Sequence, residues 1–172
     1  MVKSTWETLT SIDTKDIAKE KQGKFTYLSW ADSWATVKSA CPDASFKKHN
    51  FEYDNPASGK RTLPYMIDHQ GYAYVMVTVT IAGEAITETY MVLGIVDRKP
   101  NSPVSQPNSF QINTALQRCL VKCLAYHGFG IHVYRGEEFG ADDEDKKSSN
   151  GPQGTKVQNI HEEKKTERKA AF

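Results

Sequence analysis

The sequence predicts an α+β domain: an antiparallel three-stranded sheet with a long hairpin, packed on helices as a β-β-β-α core preceded by a helix, with a disordered C-terminal tail. Three observations lead there. Two β-branched runs meet at Ala82-Gly83, which is the pattern of a hairpin. Two stretches, Trp30 to Cys41 and Asn108 to His127, repeat apolar residues at the spacing of a helix face. Beyond residue 140 the chain turns polar and rich in breakers, and such a stretch buries too little apolar surface to fold.

Each element follows in order. Residues 1–24 are polar and lysine-rich, with Trp6, Leu9, Ile12 and Ile17 as apolar anchors, and read as a short helix or an arm laid over the domain. In "YLSWADSWATVKSACPDA", Ser29 is an N-cap and Asp32 its capping-box partner. Trp30, Trp34, Val37 and Cys41 form one apolar face, and Pro42 stops the helix. "ASFKKHNFEYD" alternates like a strand, and "NPASGKRTLP" reads as a loop. In "YAYVMVTVTIAGEAITETYMVLGIV", Val75, Val77, Val79 and Ile81 alternate with Tyr74, Met76, Thr78 and Thr80, the strongest hairpin signal in the chain. "DRKPNSPVSQPNS" reads as a long irregular loop, a kind that in compact domains is usually functional or mobile. Asn108 or Ser109 then caps a helix that runs to about His127 and ends on Gly128. Two regions follow, a domain over residues 1–140 and a tail over 141–172 whose last dozen residues could form a marginal helix. No internal repeat is seen.

Composition narrows the function. The chain has 172 residues, 38% hydrophobic and 10% aromatic, enough for one packed domain. Its formal charge of +1 excludes a simple polycation, so nucleic-acid binding requires a local arrangement of bases. Three cysteines and no signal-peptide pattern predict reduced thiols in a cytoplasmic setting. No apolar run approaches the roughly 18 residues of a membrane span, so no membrane is expected.

The helix "INTALQRCLVKCLAYHGFG" holds the sharpest candidates. Cys119, Cys123 and His127 lie four apart, too spread along one helix to close on a metal unaided, and no CxxC occurs. Beside Leu116, Leu120 and Leu124 the two cysteines read as core. Arg118 and Lys122 share a second stripe with Thr114 and Ala125. That stripe is either the solvated face or a basic strip suited to a phosphate backbone. Further bases sit near aromatics: Lys47 and Lys48 by Phe46, Phe51 and Tyr53, and Lys60 and Arg61 before Tyr65; Arg98 and Lys99 lie in the proline loop. Charge for phosphate and a flat partner for an unstacked base suit single strands. A nuclease reading would use Asp97, Lys99 and Asp68 around magnesium, on a pattern short enough to occur by chance. No P-loop is present, "SGKRT" being the nearest stretch.

Three blocks, "TYLSWADSWATVKSACPDA", "LPYMIDHQGYAYVMVTVTIAGEAITETYMVLG" and "INTALQRCLVKCLAYHGFGIHVYRGEEF", resemble in order the phage single-strand annealing proteins of the Sak group. That group is similar in fold to the eukaryotic annealing protein of double-strand-break repair, and more distantly to the Redβ, RecT and Erf recombinases. The resemblance spans residues 5–139. It implies a helix before a β-β-β-α core, assembly into homo-oligomeric rings or filaments, and a groove whose bases hold single-stranded DNA by its backbone. Carried over, Lys122 falls in the basic block before the helix-ending glycine, with Arg118 one turn earlier, while Val121 and Ala125 stand where the eukaryotic relative has further bases. Lys19, Lys21 and Lys24 fall near another basic stretch of that relative.

The expectation is an ATP-independent single-strand binding and annealing protein of phage recombination in the host cytoplasm. It needs no catalytic residue, cofactor or metal. A host single-strand-binding protein or a phage exonuclease is a candidate partner for the tail. The alternatives are a double-stranded RNA-binding module, which shares the order helix, three strands, helix, and the metal-dependent nuclease.

Overall fold

The computed structural model describes residues 3–21, 25–55, 57, 59–96 and 99–134. Met1–Glu137 form one compact unit. A second, Glu138–Phe172, lies outside the described residues, and so does the tail expected over 141–172.

Of the N-terminal anchors, Trp6 and Leu9 lie on a helix and Ile12 and Ile17 in the turns between it and a hairpin. Helix α1 (Thr5–Thr10) starts from a complete capping box: Ser4 Oγ accepts from the Glu7 amide at 3.1 Å, and Glu7 accepts from the Ser4 amide at 2.9 Å. Those bonds hold the Glu7 carboxyl below its ordinary pKa. Leu9 is fully buried. Strands β1 (Ala18–Lys21) and β2 (Phe25–Leu28) then pair antiparallel, where the sequence reading placed only a helix or an arm. β1 is short and polar, so nothing but pairing marks it as a strand, whereas β2 has strand-favouring residues in a run too short to stand out.

Helix α2 (Trp30–Ala40) begins where expected, with Ser29 Oγ accepting from the Asp32 amide. Lys38 ties down the turn that follows by donating to the Pro42 and Ala44 carbonyls at 2.5 and 2.7 Å.

The expected strand over "ASFKKHNFEYD" is two strands, β3 (Ser45–Lys48) and β4 (Phe51–Asn55). The next are β5 (Gly59–Leu63), β6 (Met66–Ile67), β7 (Ala73–Ile81) and β8 (Glu84–Met91). The central sheet has four strands rather than three. β8 lies along one edge of β7, while β3 and β6 share the other, opposite residues 77–80 and 73–74 of β7. The His49 amide makes the last rung of β3 to Met76. Beyond it the chain turns out of the sheet, and β4 pairs with β5 instead. Half of the stretch read as a loop, Gly59–Leu63, is therefore β5. Breakers had masked its pairing, because proline and glycine are tolerated where a hairpin stands alone.

The β7–β8 hairpin forms as predicted, in register from Tyr74 opposite Met91 to Ile81 opposite Glu84. Its two turn residues both have positive φ, Ala82 at 52° and Gly83 at 81°, as the favoured two-residue hairpin turns require. Ala82 pays in strain for that geometry, and Asp43 steadies it by accepting its amide proton. The long proline loop holds another hairpin. β9 (Leu93–Val96) pairs with β10 (Lys99–Pro103), with an irregularity between Lys99 and Ser102 where Asn101 takes φ +57°.

Helix α3 (Ser109–Tyr126) is capped by Asn108 in a second full capping box with Gln111. Its end is a Schellman motif. Phe129 N–H donates to Leu124 and Gly128 N–H to Ala125, with Gly128 at φ +106°. Ala73, Val75, Val77, Val79 and Ile81 of β7 are at most 1% exposed and face α3, which buries Ala115, Leu116, Cys119, Leu120, Cys123 and Leu124. A fully buried aliphatic side chain contributes about 1.5–3 kcal/mol, so this layer dominates the stability of the domain. α1 closes its end: a Cβ on Gly128 would meet Trp6 and Thr10. A single 3₁₀ turn (Ile131–Tyr134) follows, and His132 bonds Thr14 at 2.9 Å.

Candidate nucleic-acid interface

Between residues 115 and 125, α3 is no ordinary surface helix. Val121 and Ala125 are buried as well as the sheet-facing residues, leaving Arg118 and Lys122 half-buried among them. They are the only charges on the helix. A half-buried charge must be held by partners, and each base has one from another element.

Arg118 places its guanidinium carbon 5.1 Å from the centre of the Tyr27 ring on β2, within cation–π range. Lys122 donates to Glu88 of β8 at 3.2 Å. Burial works against the charge of Lys122, but the Glu88 carboxylate, with Tyr126 and Tyr90, outweighs it and holds the pKa above the ordinary lysine value. Lys122 therefore stays charged at any physiological pH. Glu88 reaches the helix because it pairs with Val77, and residues opposed in register share a face of the sheet. Arg118 and Lys122, one turn apart, thus lie on a strip bordered by Tyr27, Glu88, Tyr90 and Tyr126.

The remaining bases do not join this strip by any described contact. Lys47 and Lys48 are both exposed on β3 and, being consecutive, point to opposite faces, Lys47 opposite Thr78 and Lys48 opposite Val77. Lys60 and Arg61 are exposed on β5, opposite Asp54 and Tyr53. Lys99 is exposed at the start of β10. Lys19 and Lys21 lie on β1, Lys21 in register with Phe25. Lys24 and Arg98 lie outside the described residues.

The residues weighed for metal chemistry are engaged elsewhere. Cys119 donates to the Glu88 carbonyl at 3.3 Å and Cys123 to the Ile86 carbonyl at 3.1 Å. Burial, then the neighbouring Cys123, pushes the Cys119 thiol up to about 12, and burial raises Cys123 as well. Thiols so far from ionising are poor metal ligands, and they pack as core, as the sequence implied. His127 is buried and donates Nε2–H to the Val79 carbonyl at 3.2 Å. Asp68 accepts from the Gln70 and Tyr72 amides at 2.9 and 2.8 Å, which makes it a turn former. Asp97 lies outside the described residues. Among the described residues, no group of three or more His, Cys, Asp or Glu could hold a metal ion, and no helix is long and apolar enough to cross a membrane.

Sequence reasoning missed Glu88, Tyr27, Tyr90 and Tyr126. Tyr27 stands inside the "YLSW" block, where proximity to a quoted motif could have flagged it. Glu88 gave no signal, because it is 34 residues from Lys122 and meets it only through the sheet.

Charge beside flat rings is what a single strand would need from such a strip. The chain belongs to the Sak Single Strand Annealing Protein family, whose model matches residues 3–168. Annealing of single-stranded DNA in phage recombination is the activity of that family, which makes single-stranded DNA the partner. No curated protein and no solved structure matched the chain.

Proposed function

We propose that the protein anneals complementary single strands without nucleotide or metal, as a homo-oligomeric ring or filament in the host cytoplasm. The family match carries this reading. The strip on α3 supports it physically: Arg118 and Lys122 supply charge for successive phosphates, and their stem positions are fixed by a buried helix. Backbone reading leaves base edges free to meet a complement. Lys21, Lys24, Lys47, Lys48, Lys60, Arg61, Arg98 and Lys99 serve as auxiliary contacts. A net charge of +1 offers a lone subunit little affinity, so many subunits on one strand provide it. Residues 141–172 act as a docking tail, toward a host single-strand-binding protein or a phage exonuclease.

The test is a fluorescence annealing assay with complementary oligonucleotides, without ATP and in chelator. The expected result is acceleration that fades steeply with salt, since each phosphate neutralised releases counterion. No acceleration, or DNA cleavage once magnesium is added, overturns the reading.

A further inference from the structure

We propose that Glu88 is a charge brake on the α3 strip, cancelling Lys122 in the free protein and so holding single-strand affinity low enough for release after annealing. The inference rests on the reading of that strip as the DNA-binding surface and adds the residue that tunes it.

Glu88 sits on the helix-facing side of β8 between Ile86 and Tyr90, opposite Val77. Packing gives no reason for an acid there. Burying a carboxylate costs free energy, and an apolar side chain in the same position would stabilise the layer at least as well. What the acid does is hold the Lys122 ammonium at 3.2 Å, with only 17% of its own side chain accessible against 33% for the lysine. The lysine is the outer member of the pair, reachable by a phosphate, while the carboxylate lies behind it. Arg118 and Lys122 therefore present one net positive charge instead of two. A phosphate arriving at Lys122 meets a site already neutralised, and part of its attraction is lost to the acid beneath. An annealing protein has use for such a limit, because a strand gripped too tightly is slow to leave as duplex.

Glu88→Gln separates charge from position, because the amide oxygen still accepts from Lys122. The full chain is titrated with a labelled oligothymidylate over a salt series. Wild-type binding that is absent altogether would sink the proposed function itself. Given binding, Glu88→Gln is expected to tighten it about three- to tenfold at low salt. The slope of log affinity against log salt should steepen by about 0.7 for each subunit engaged. Strand dissociation should slow, and so should annealing at saturating protein. In a Lys122→Ala background the same substitution should tighten binding less, because no lysine contact is freed there. Weaker binding by Glu88→Gln would make Glu88 a positioning residue and overturn the brake. An unchanged slope, or a gain of the same size without Lys122, would overturn it equally. Should the glutamine variant fail to fold, Glu88→Thr, an uncharged strand-former, takes its place with the same expected tightening.

Discussion

Lys122 on α3 and Arg61 on β5 are both bases within reach of a tyrosine, yet the two regions treat them differently. α3 lies against β7 and β8 with most of its surface buried, so Arg118 and Lys122 emerge from a rigid base and meet fixed partners in Tyr27 and Glu88. Among the described residues the β4–β5 hairpin pairs as a sheet only with itself, and Lys60, Arg61, Tyr53 and Glu52 are all exposed. A long side chain that is free in the unbound protein gives up to about 2 kcal/mol of rotamer entropy when it binds. One held in advance gives up less. The same residue types are therefore worth more on α3 than on the hairpin, where Lys60 also stands in register with Asp54.

Glycine substitutions should expose the contrast most strongly. Gly128 and Gly59 both have positive φ, at 106° and 74°, so alanine is strained at either. At Gly128 the added Cβ would also press on the Trp6 carbonyl at 3.2 Å and the Trp6 ring at 3.1 Å, whereas nothing lies within 4 Å at Gly59. Gly128→Ala is expected to cost about 2–4 kcal/mol in a denaturant titration, and Gly59→Ala about 1 kcal/mol. Equal costs would mean that α1 does not bear on the end of α3.

Next come the bases. Arg118→Ala with Lys122→Ala is expected to weaken single-strand binding by tenfold or more at low salt, and Lys60→Ala with Arg61→Ala by about two- to threefold. Equal losses would remove the case for preorganisation. The α3 pair should also lower stability by about 1 kcal/mol, because Glu88 loses its partner in a half-enclosed site. That differs from what two freely solvated bases would do.

The last contrast is in pH, and it shows only in alkali. Cys119 and Cys123 titrate above the ordinary thiol value of 9.0 in the folded protein, Cys119 at about 12. Above pH 9 the unfolded chain gives up thiol protons that the folded one keeps. Stability is thus intact below pH 9 and falls as pH rises toward 12, by up to about 1.4 kcal/mol per unit for each thiol. Cys119→Ser should remove part of that slope. An undiminished slope would mean that other groups set it.

The layer that makes α3 rigid was largely legible in the sequence. Val75, Val77, Val79 and Ile81 alternate, Leu116, Cys119, Leu120 and Cys123 repeat at helical spacing, and Asn108 and Gly128 mark both ends. Such patterns are local, and burial enforces them. The two-stranded hairpins were not legible, because β4–β5 and β9–β10 are short and carry proline or glycine, and the exposed β5 has almost no burial to impose alternation. Arg118 and Lys122 could be found as bases on one stripe. Their partners could not, since Tyr27 and Glu88 come from strands whose approach depends on how the whole sheet is laid.

The contact of α1 with the end of α3 also sets an order of events in time. Leu9 is sealed from water, and Thr14 bonds His132 across 118 residues of chain. At a synthesis rate of about 5–20 residues per second, the first helix made waits on the order of ten seconds for its resting place to emerge. Its apolar residues spend that interval exposed, on a segment too short to hold a helix by itself. The earliest helix of the chain is among the last to dock, and its docking closes the longest loop in the fold.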